Sequence, residues 1–331
     1  MPIKIPEALP ATQTLIEENI FVMTETRALS QDIRPLQILL LNLMPTKIAT
    51  ETQLIRLLSN TPLQIELDLL KTASYEPTHT AQEHIRHFYK TFEDIRDKHY
   101  DGMIITGAPL AHLKFEEVGY WNELCEIMDW TRTHVYSTMH ICWGAFAGLY
   151  YHYGIEPVAL PQKLFGVYEH EVVRKSSILF RGFDDVFLVP HSREIAIPKD
   201  AVLKEKKLKI LAESAKAGLY CLSTEGGRQI FLSGHSEYDA RTLENEYLRD
   251  KQAGLPIALP ENYYPDDDET RAPNVSWRSC ANLLFANWIN YIVYQTTPYD
   301  LSTLTKVREF EEDKENKDAF ETAHPQFVRT D

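Results

Sequence analysis

The chain has 331 residues, of which 44% are hydrophobic and 25% charged, a composition typical of a globular protein whose core needs no disulfides. The formal net charge of −14 disfavours binding to nucleic acid or to anionic membranes, so an anionic ligand requires locally placed lysine or arginine. The four cysteines are widely spaced and form neither a CxxC pair nor a zinc-type pattern, which predicts a reducing compartment and no metal site.

The N-terminal sequence, MPIKIPEALPATQ, lacks the apolar core of a signal peptide, and no stretch of the chain approaches the roughly 18 apolar residues of a membrane span. We therefore expect a cytoplasmic protein that does not enter the membrane. The sequence predicts an N-terminal arm over residues 1–34 and a single domain over residues 35–303. Residues 304–331 are charged without apolar periodicity, which predicts a disordered tail.

The first half of the domain alternates short apolar runs with segments of helical spacing. Strands are predicted at residues 38–43, 63–70, 102–106 and 135–141. Helices are predicted at residues 50–58, 81–92, 120–133 and 143–153. This alternation predicts an α/β fold with a doubly wound, mostly parallel sheet and helices on both faces.

The second half is richer in predicted strands, which fall at residues 186–189, 209–212, 219–223 and 229–233. Helices are predicted at residues 240–249 and 276–294, with a loop rich in Pro, Asp and Glu at residues 254–273 between them. We find no internal repeat.

Cys142 stands between the predicted strand 135–141 and the helix that starts at Trp143. A side chain on such a strand-to-helix turn is exposed above the sheet and lies at the positive end of the helix dipole, which favours a thiolate. The small Gly144 and Ala145 allow the helix to pack closely on the sheet. The alternative is a buried structural cysteine, the role expected for the other three.

His235 and Glu237 lie in the segment GHSEYD, directly after the predicted strand 229–233. Residues two apart in extended backbone point the same way, so one loop can present both side chains. A histidine there can act as general base for a distant thiol while the carboxylate fixes its tautomer. The alternative is a solvated loop histidine with an unrelated acid nearby.

The order of a cysteine followed by His-x-Glu on such a sheet resembles the class I glutamine amidotransferase superfamily, with its flavodoxin-like fold. Longer segments are similar to one branch, the homoserine O-acyltransferases of methionine biosynthesis: RPLQILLLNLMPTKIATETQ (34–53), FDD with PHSR (183–193), GHSEYDARTL (234–243) and NLLFANWINYIVYQTTPYDL (282–301). The resemblance extends over residues 1–301. It implies transfer of an acyl group from acyl-CoA, a co-substrate, to the hydroxyl of L-homoserine, without a tightly bound cofactor or a metal.

The resemblance implies ping-pong chemistry in which Cys142 forms an acyl-thioester, His235 is the base and Glu237 orients it. Backbone N–H groups near Trp143 and Leu110 are expected to form the oxyanion hole.

The resemblance also assigns substrate contacts to Lys163, Ser192 and Arg249. The fork of Arg249 suits the carboxylate of homoserine, and Glu246, one helical turn earlier, suits its ammonium. The alternative for these two is a solvated Glu–Arg helix pair. Lys47, after the segment LNLMP, is expected to line the site as well.

The family resemblance implies that the residue at position 111 indicates which acyl donor is used. Glutamate accompanies acetyl-CoA and glycine accompanies succinyl-CoA, whereas this chain has Ala111. Alanine neither fills the space nor repels a succinyl carboxylate, which favours succinyl-CoA. The segments FEEV and HICWGA are more similar to users of acetyl-CoA, so homoserine O-acetyltransferase is a close second.

Two further positions depart from the family pattern. Phe146 stands where the family usually has Gln, and Ser236 where it has Pro. They leave the acceptor open, including serine in place of homoserine.

Two rival functions and the oligomeric state also stay open. A glutamine amidotransferase-type hydrolase usually has Gly-x-Cys-x-Gly, whereas this chain has Gly only after the cysteine, at Gly144. A non-catalytic binding protein of the same fold is disfavoured by the intact set Cys142, His235 and Glu237. A homodimer would fit the resemblance.

Overall fold

The computed structural model describes residues 3–5, 8–17, 23–24, 34–75 and 80–304. The strands of these residues are β1 (Ile3–Ile5), β2 (Met23–Thr24), β3 (Leu36–Leu41), β4 (Ile65–Leu70), β5 (Tyr89–Lys90), β6 (Tyr100–Ile105), β7 (Val135–Ile141), β8 (Val158–Val172), β9 (Val186–Ala196), β10 (Lys209–Ser214), β11 (Gly218–Ser223) and β12 (Gln229–Leu232).

The helices of the same residues are α1 (Pro10–Glu17), α2 (Lys47–Leu58), α3 (Gln82–Phe88), α4 (Phe92–Ile95), α5 (Trp121–His134), α6 (Trp143–Tyr153), α7 (Lys199–Lys204), α8 (Thr242–Gln252) and α9 (Arg278–Asn287). A π-helix, Trp288–Tyr294, continues α9 without a break. Short 3₁₀ turns occur at Phe115–Glu117, Ile178–Phe180, Glu225–Gly227, Pro265–Asp267 and Leu301–Thr303.

The described strands form one sheet in the order β2-β1-β4-β3-β6-β7-β12-β11-β10-β8-β9, with β5 paired to β4. All neighbours from β2 to β12 in this order pair in parallel. The strands from β12 to β9 pair antiparallel. The predicted α/β fold with a mostly parallel sheet is therefore confirmed, and an antiparallel extension continues it.

The core lies on both faces of the parallel half. Along β3, Ile38 and Leu40 belong to one apolar cluster, and Leu39 and Leu41 to another. All four side chains are fully buried. Because successive side chains of a strand point to opposite faces, the two clusters lie on the two sides of the sheet, as a continuous apolar strand predicts.

The structure corrects several element predictions. The 15-residue strand β8 was not expected, because its first half is largely exposed and carries polar residues and Pro161. β9 extends to Ala196, beyond the predicted end at 189. The predicted helix 81–92 is interrupted by β5, where the Tyr89 hydroxyl donates to the buried carboxylate of Glu51. The six-residue helix α7 was also missed.

The described parts of the N-terminal segment contact the main sheet. β1 pairs in parallel with β4, and Ala11 and Leu15 of α1 are fully buried in the core. The division at residue 34 stays a prediction. Of the predicted tail 304–331 only Leu304 is described, and it is fully buried, whereas residues 305–331 lie outside the described residues. Within the described ranges, none of the helices is long and apolar enough to cross a membrane.

Candidate active site

Cys142 directly follows β7 and directly precedes α6, with φ +48° and ψ −117°. Positive φ is uncommon for a residue that carries a Cβ, and such strain often marks a functional site. The Cys142 side chain is only 7% exposed. A Cβ placed on Gly107, after β6, would lie 3.3 Å from Cys142 Cβ and 3.4 Å from His235 Cε1. The cysteine and histidine side chains therefore meet at the carboxyl ends of the parallel strands.

Gly144 allows α6 to approach β6. A Cβ at this position would lie 2.6 Å from the carbonyl oxygen of Thr106 and 2.9 Å from that of Ile105. These are main-chain atoms, so relief requires movement of the helix that begins beside Cys142. The close packing expected of this small residue is therefore present.

We predict that Gly144→Ala destabilises the protein by about 1–3 kcal/mol, because the overpacked contact outweighs the roughly 1 kcal/mol by which alanine ordinarily favours a helix. Thermal unfolding measures the change. Gly119→Ala is the matched control, since a Cβ there meets no atom within 4 Å. Equal melting temperatures for the two variants would contradict the packing argument.

His235 and Glu237 lie on the loop after β12. The ring nitrogen His235 Nδ1 is 2.6 Å from Glu237 Oε1, and both side chains are buried. The backbone N–H of His235 donates to the carbonyl of Pro190 at 2.8 Å, which fixes the loop against β9. A carboxylate oxygen accepts here, so Nδ1 carries the proton and Nε2 is left for the sulfur of Cys142.

The His235 ring lies beside the side chain of Cys142 and interacts with it. Burial alone lowers the pKa of His235, but the charges of Cys142 and Glu237 and the hydrogen bonds to both residues outweigh it. The net result is a pKa well above the ordinary histidine value. The two neighbouring side chains thus favour the imidazolium form of His235, an arrangement suited to a cysteine nucleophile.

The three side chains face a cleft of about 1460 Å³, which is larger than the roughly 300–1,000 Å³ of drug-sized ligand sites. Its lining includes Cys142, His235, Glu237 and parts of α2, β8, β9, α8 and α9. A cleft of this size accommodates a substrate larger than an amino acid. Among the described residues, no group of three or more His, Cys, Asp or Glu side chains is arranged to hold a metal ion.

The expected substrate-contacting residues Lys163, Ser192, Glu246 and Arg249 all line this cleft. Ser192 Oγ donates to Glu246 Oε2 at 2.5 Å. Lys163 Nζ lies 3.3 Å from Asp250 Oδ2, and Arg249 donates to Asp250 Oδ1 at 2.7 Å. Arg249 therefore pairs with its chain neighbour. In the described part of the chain no ion pair joins it to Glu246, so the solvated Glu–Arg helix pair is not formed.

Lys47 and Leu110 do not occupy the expected places. Lys47 is buried, does not line the cleft, and donates from Nζ to the carbonyl of Asn42 at 2.5 Å, which closes the turn between β3 and α2. Burial lowers the Lys47 pKa to about 8, although Glu51 opposes the shift. The N–H of Leu110 already donates to the carbonyl of Ala108 at 2.9 Å, so it is not available to an oxyanion.

Trp143 and the three departures from the family pattern are all near the cleft. Trp143 begins α6, and its N–H has no backbone acceptor among the described residues, as the first N–H groups of a helix generally lack one. Ala111 and Phe146 line the cleft, and the Phe146 ring is 1% exposed. Ser236 is buried, with its Oγ 2.6 Å from the hydroxyl of Tyr220. A hydrogen bond thus holds the position at which the family usually has proline.

Tyr238 is a site residue that the sequence analysis missed. Its ring stacks on the His235 ring, with centroids 4.1 Å apart and planes 17° from parallel. Its hydroxyl donates to Glu246 Oε1 at 2.7 Å. Tyr238 therefore connects the histidine to the carboxylate that also binds Ser192. The available signal was its place beside Glu237 in GHSEYD.

Arg193 is a second missed residue. It is 4% exposed, lines the cleft, and donates from Nε to His191 Nδ1 at 3.2 Å. His191 Nε2 and His170 Nε2 are 3.1 Å apart, and His170 Nδ1 is 2.9 Å from the carbonyl oxygen of Tyr168. Because that carbonyl only accepts, His170 Nδ1 carries the proton, and His170 Nε2 accepts a hydrogen bond from His191 Nε2. His191 Nδ1 then accepts from Arg193, so both histidines are neutral.

Burial agrees with this assignment, since it lowers the pKa of His170 to about 4 and that of His191 well below its ordinary value. Burial also lowers the pKa of Arg193 to about 10, and the charge of Cys142 opposes that shift. A rigidly held cation therefore acts on the cysteine. The signal in the sequence was the alternation Val189, His191 and Arg193, which places an arginine on a buried strand face.

Comparison with known proteins identifies the family of the chain. The family model described as homoserine O-succinyltransferase matches residues 2–299. A homoserine O-acetyltransferase of Acetivibrio thermocellus is 55% identical over 304 residues, which cover 92% of this chain and 100% of that protein. A homoserine O-acetyltransferase of Clostridium novyi is 58% identical over 300 residues, which cover 91% of this chain and 99% of that protein.

A solved glutamine amidotransferase of Thermotoga maritima has a TM-score of 0.53 and 14% identity, covering 80% of this chain and 100% of that one. This likeness shows the fold alone and confirms the class I glutamine amidotransferase-like architecture. The family resemblance noted in the sequence is also confirmed. The chain belongs to the homoserine O-succinyltransferase family and is an acyltransferase.

Proposed function

We propose that this acyltransferase carries an acyl group from acyl-CoA to the hydroxyl of L-homoserine through a thioester on Cys142. The observation that carries the proposal is the contact of Cys142, His235 and Glu237 in one large cleft. The family and the names of the relatives supply the substrates.

In the first half-reaction the Cys142 thiolate attacks the carbonyl carbon of the acyl-CoA thioester. A new S–C bond forms and the S–C bond to CoA breaks, so the acyl group passes to the enzyme. The imidazolium of His235 gives its Nε2 proton to the departing CoA thiolate. The enzyme is left with a neutral thioester and a neutral histidine.

In the second half-reaction His235 acts as a base. Among the causes that raise the His235 pKa, the charge of Cys142 is the largest, and acylation removes it. The pKa then falls, which suits acceptance of a proton from the homoserine hydroxyl. The hydroxyl oxygen attacks the thioester carbon, the S–C bond breaks, and the thiolate and imidazolium are restored. Glu237 holds the ring through both steps.

The thioester oxygen needs hydrogen-bond donors while it carries negative charge. The N–H of Trp143 is one, placed on the turn of the nucleophile. The N–H groups of Gly107 and Ala108 replace the expected Leu110 donor in this proposal, because they make no backbone hydrogen bond to the described residues. Gly107 also lies against Cys142 Cβ.

Homoserine is proposed to bind in the part of the cleft lined by Ser192, Glu246, Lys163 and Arg249. Glu246 accepts hydrogen bonds from two hydroxyls, which hold its carboxylate in place to meet the substrate ammonium. Arg249 is 64% exposed beside Asp250, so its outer edge is accessible to a carboxylate. In this proposal the two charged ends of the amino acid bind residues of one helix, α8.

The proposed donor is acetyl-CoA, because the two relatives described above are homoserine O-acetyltransferases. Succinyl-CoA, which Ala111 favoured in the sequence, is the second candidate. The observation that supports it is that the small Ala111 side chain lines the cleft and leaves room for a longer acyl group.

The donor prediction is tested by incubating the protein separately with acetyl-CoA and succinyl-CoA and measuring its intact mass. We expect the mass of one acetyl group to be added, and to be removed on addition of homoserine with formation of O-acetylhomoserine. A succinyl adduct alone would reverse the donor assignment. Discharge by serine but not by homoserine would reverse the acceptor, and absence of any adduct would contradict the thioester mechanism.

A further inference from the structure

We propose that Arg56, Arg241 and Arg278 form a binding site for the phosphate groups of the CoA donor. The inference rests on the proposed function and adds a place for the part of the donor that does not react. All three arginines line the cleft that contains Cys142. They come from three separate segments of the chain, α2, the turn before α8, and the start of α9.

The three arginines are located next to the turn 238–242, which follows the catalytic loop. Arg56 Nη1 donates to Asp239 Oδ1 at 2.6 Å. Arg241 is part of the turn and immediately precedes α8. Arg278 follows Trp277, whose indole Nε1 donates to the carbonyl of Tyr238 at 2.9 Å. Arg56 thus binds the turn, Arg241 belongs to it, and Arg278 directly follows a residue that binds it.

The three arginines carry one positive charge more than their two carboxylate partners, Asp239 and Glu244, whereas the whole chain is acidic. The formal net charge of −14 repels a polyanionic donor, so its phosphates require a local cationic surface. Arg241 is 66% exposed and shares its charge with Glu244 at 2.7 Å. Arg278 is exposed and makes no side-chain ion pair or hydrogen bond with any residue in the described part of the chain. Its guanidinium is free to bind a phosphate.

The shape of the cleft fits a donor whose reacting end is far from its phosphates. A long flexible arm separates the thioester of CoA from its nucleotide. Apolar side chains that suit such an arm line the same cleft, including Met44, Pro45, Ala49 and Leu57. Binding of the remote phosphates can then contribute to placing the thioester against Cys142.

The proposed phosphate site is separated from the proposed homoserine site. Arg241 and Arg249 are eight residues apart at the start and near the end of α8, which corresponds to about 12 Å along the helix axis. The arginine that suits the amino-acid carboxylate is therefore a different group from those assigned to the nucleotide.

The test compares two donors that differ only in the nucleotide. The acyl group that labels the wild-type protein is supplied as acyl-CoA or as the S-acyl pantetheine, which lacks the phosphates. We expect Arg278→Gln to raise the KM for acyl-CoA about tenfold, equivalent to about 1.4 kcal/mol, with little change in kcat. A double variant that combines Arg278→Gln with Arg241→Gln should raise the KM for acyl-CoA further. The KM for acyl pantetheine should stay at the wild-type value.

Arg56→Gln is a third variant, which also removes the hydrogen bond to Asp239. If this loss disturbs the catalytic loop, turnover of the acyl pantetheine donor falls as well. Arg271→Gln is the matched control, because this half-exposed arginine pairs with Asp266 and does not line the cleft. This control variant should leave the KM for both donors unchanged. Equal KM changes for both donors, or no change in any of the three variants, would overturn the phosphate site.

The two proposals fail in different ways. If the wild-type protein transfers an acyl group from neither donor, the proposed function is wrong and the phosphate site falls with it. If the wild-type protein transfers from both donors with the same KM, acyl transfer stands and the phosphate site alone is refuted. A lower KM for acyl-CoA that the arginine variants abolish supports both.

Discussion

Replacing Cys142 with alanine is expected to lower kcat/KM for acyl transfer by about 10⁴-fold or more, because the proposed acyl intermediate is a thioester of this side chain. The side chain is small and only 7% exposed, so alanine fits the same turn. The positive φ of this residue persists with alanine, and the fold should be retained. Steady-state assays with acyl-CoA and homoserine measure the loss.

The same variant distinguishes a nucleophile from a structural cysteine. The covalent acyl adduct should disappear in Cys142→Ala and persist in Cys125→Ala. Cys125, on α5, is a suitable control because it is partly exposed and does not line the cleft. If Cys142→Ala kept wild-type turnover and merely lowered the melting temperature, the cysteine would be structural and the thioester scheme would be wrong.

The parallel half of the fold was predictable because its strands are buried on both faces. Leu39 and Leu40 point to opposite clusters, so the whole segment must be apolar and its identity as a strand is evident from sequence. β8 gives no such signal, since its first half faces solvent. Its pairing with β9 is determined by tertiary contacts that no local pattern records.

The same distinction holds at the site. Cys142 and the His235–Glu237 pair were found because each is defined by neighbours in sequence, a strand end on one side and a helix or loop on the other. Lys47 has suitable neighbours too, but its side chain turns into the protein and binds the carbonyl of Asn42. The direction of a long side chain depends on packing, so the sequence prediction for Lys47 was wrong.

Arg193, in contrast, lines the cleft but was not among the predicted site residues. An arginine in a strand is most often exposed, and its sequence neighbours identify no partner. Its role depends on His191, which is two residues away, and on His170, which lies on the neighbouring strand β8. A hydrogen-bond row across two strands is visible only once their register is known. The sequence therefore predicts Cys142, His235 and Glu237, which the structure brings together, but not Arg193, whose partners lie on another strand.

We expect Glu237→Gln to lower kcat/KM by about 10³-fold, the second large effect after that of Cys142→Ala. Glutamine keeps the size of the buried side chain but removes the negative charge 2.6 Å from His235 Nδ1. The amide also presents an N–H group that can favour the wrong tautomer of the ring. Protein stability should change little compared with activity, and thermal unfolding of the variant checks this.

The pH profile of the Glu237→Gln variant tests the cause of the fall. The charge of Glu237 is one of the causes that hold the His235 pKa well above its ordinary value. Without that charge the pKa falls, so the imidazolium loses its proton at lower pH. The thiolate–imidazolium pair then exists over a narrower range, and the alkaline limb of kcat/KM should move toward acid.

Glu126→Gln provides the control, because this exposed carboxylate pairs with Arg96 away from the cleft. Its profile should coincide with the wild-type profile. An alkaline limb in Glu237→Gln that stays at the wild-type pH, even with reduced activity, would mean that Glu237 acts only by holding the ring. The electrostatic contribution assigned to it here would then be wrong, whereas a shift toward acid supports a charge that acts on His235 directly.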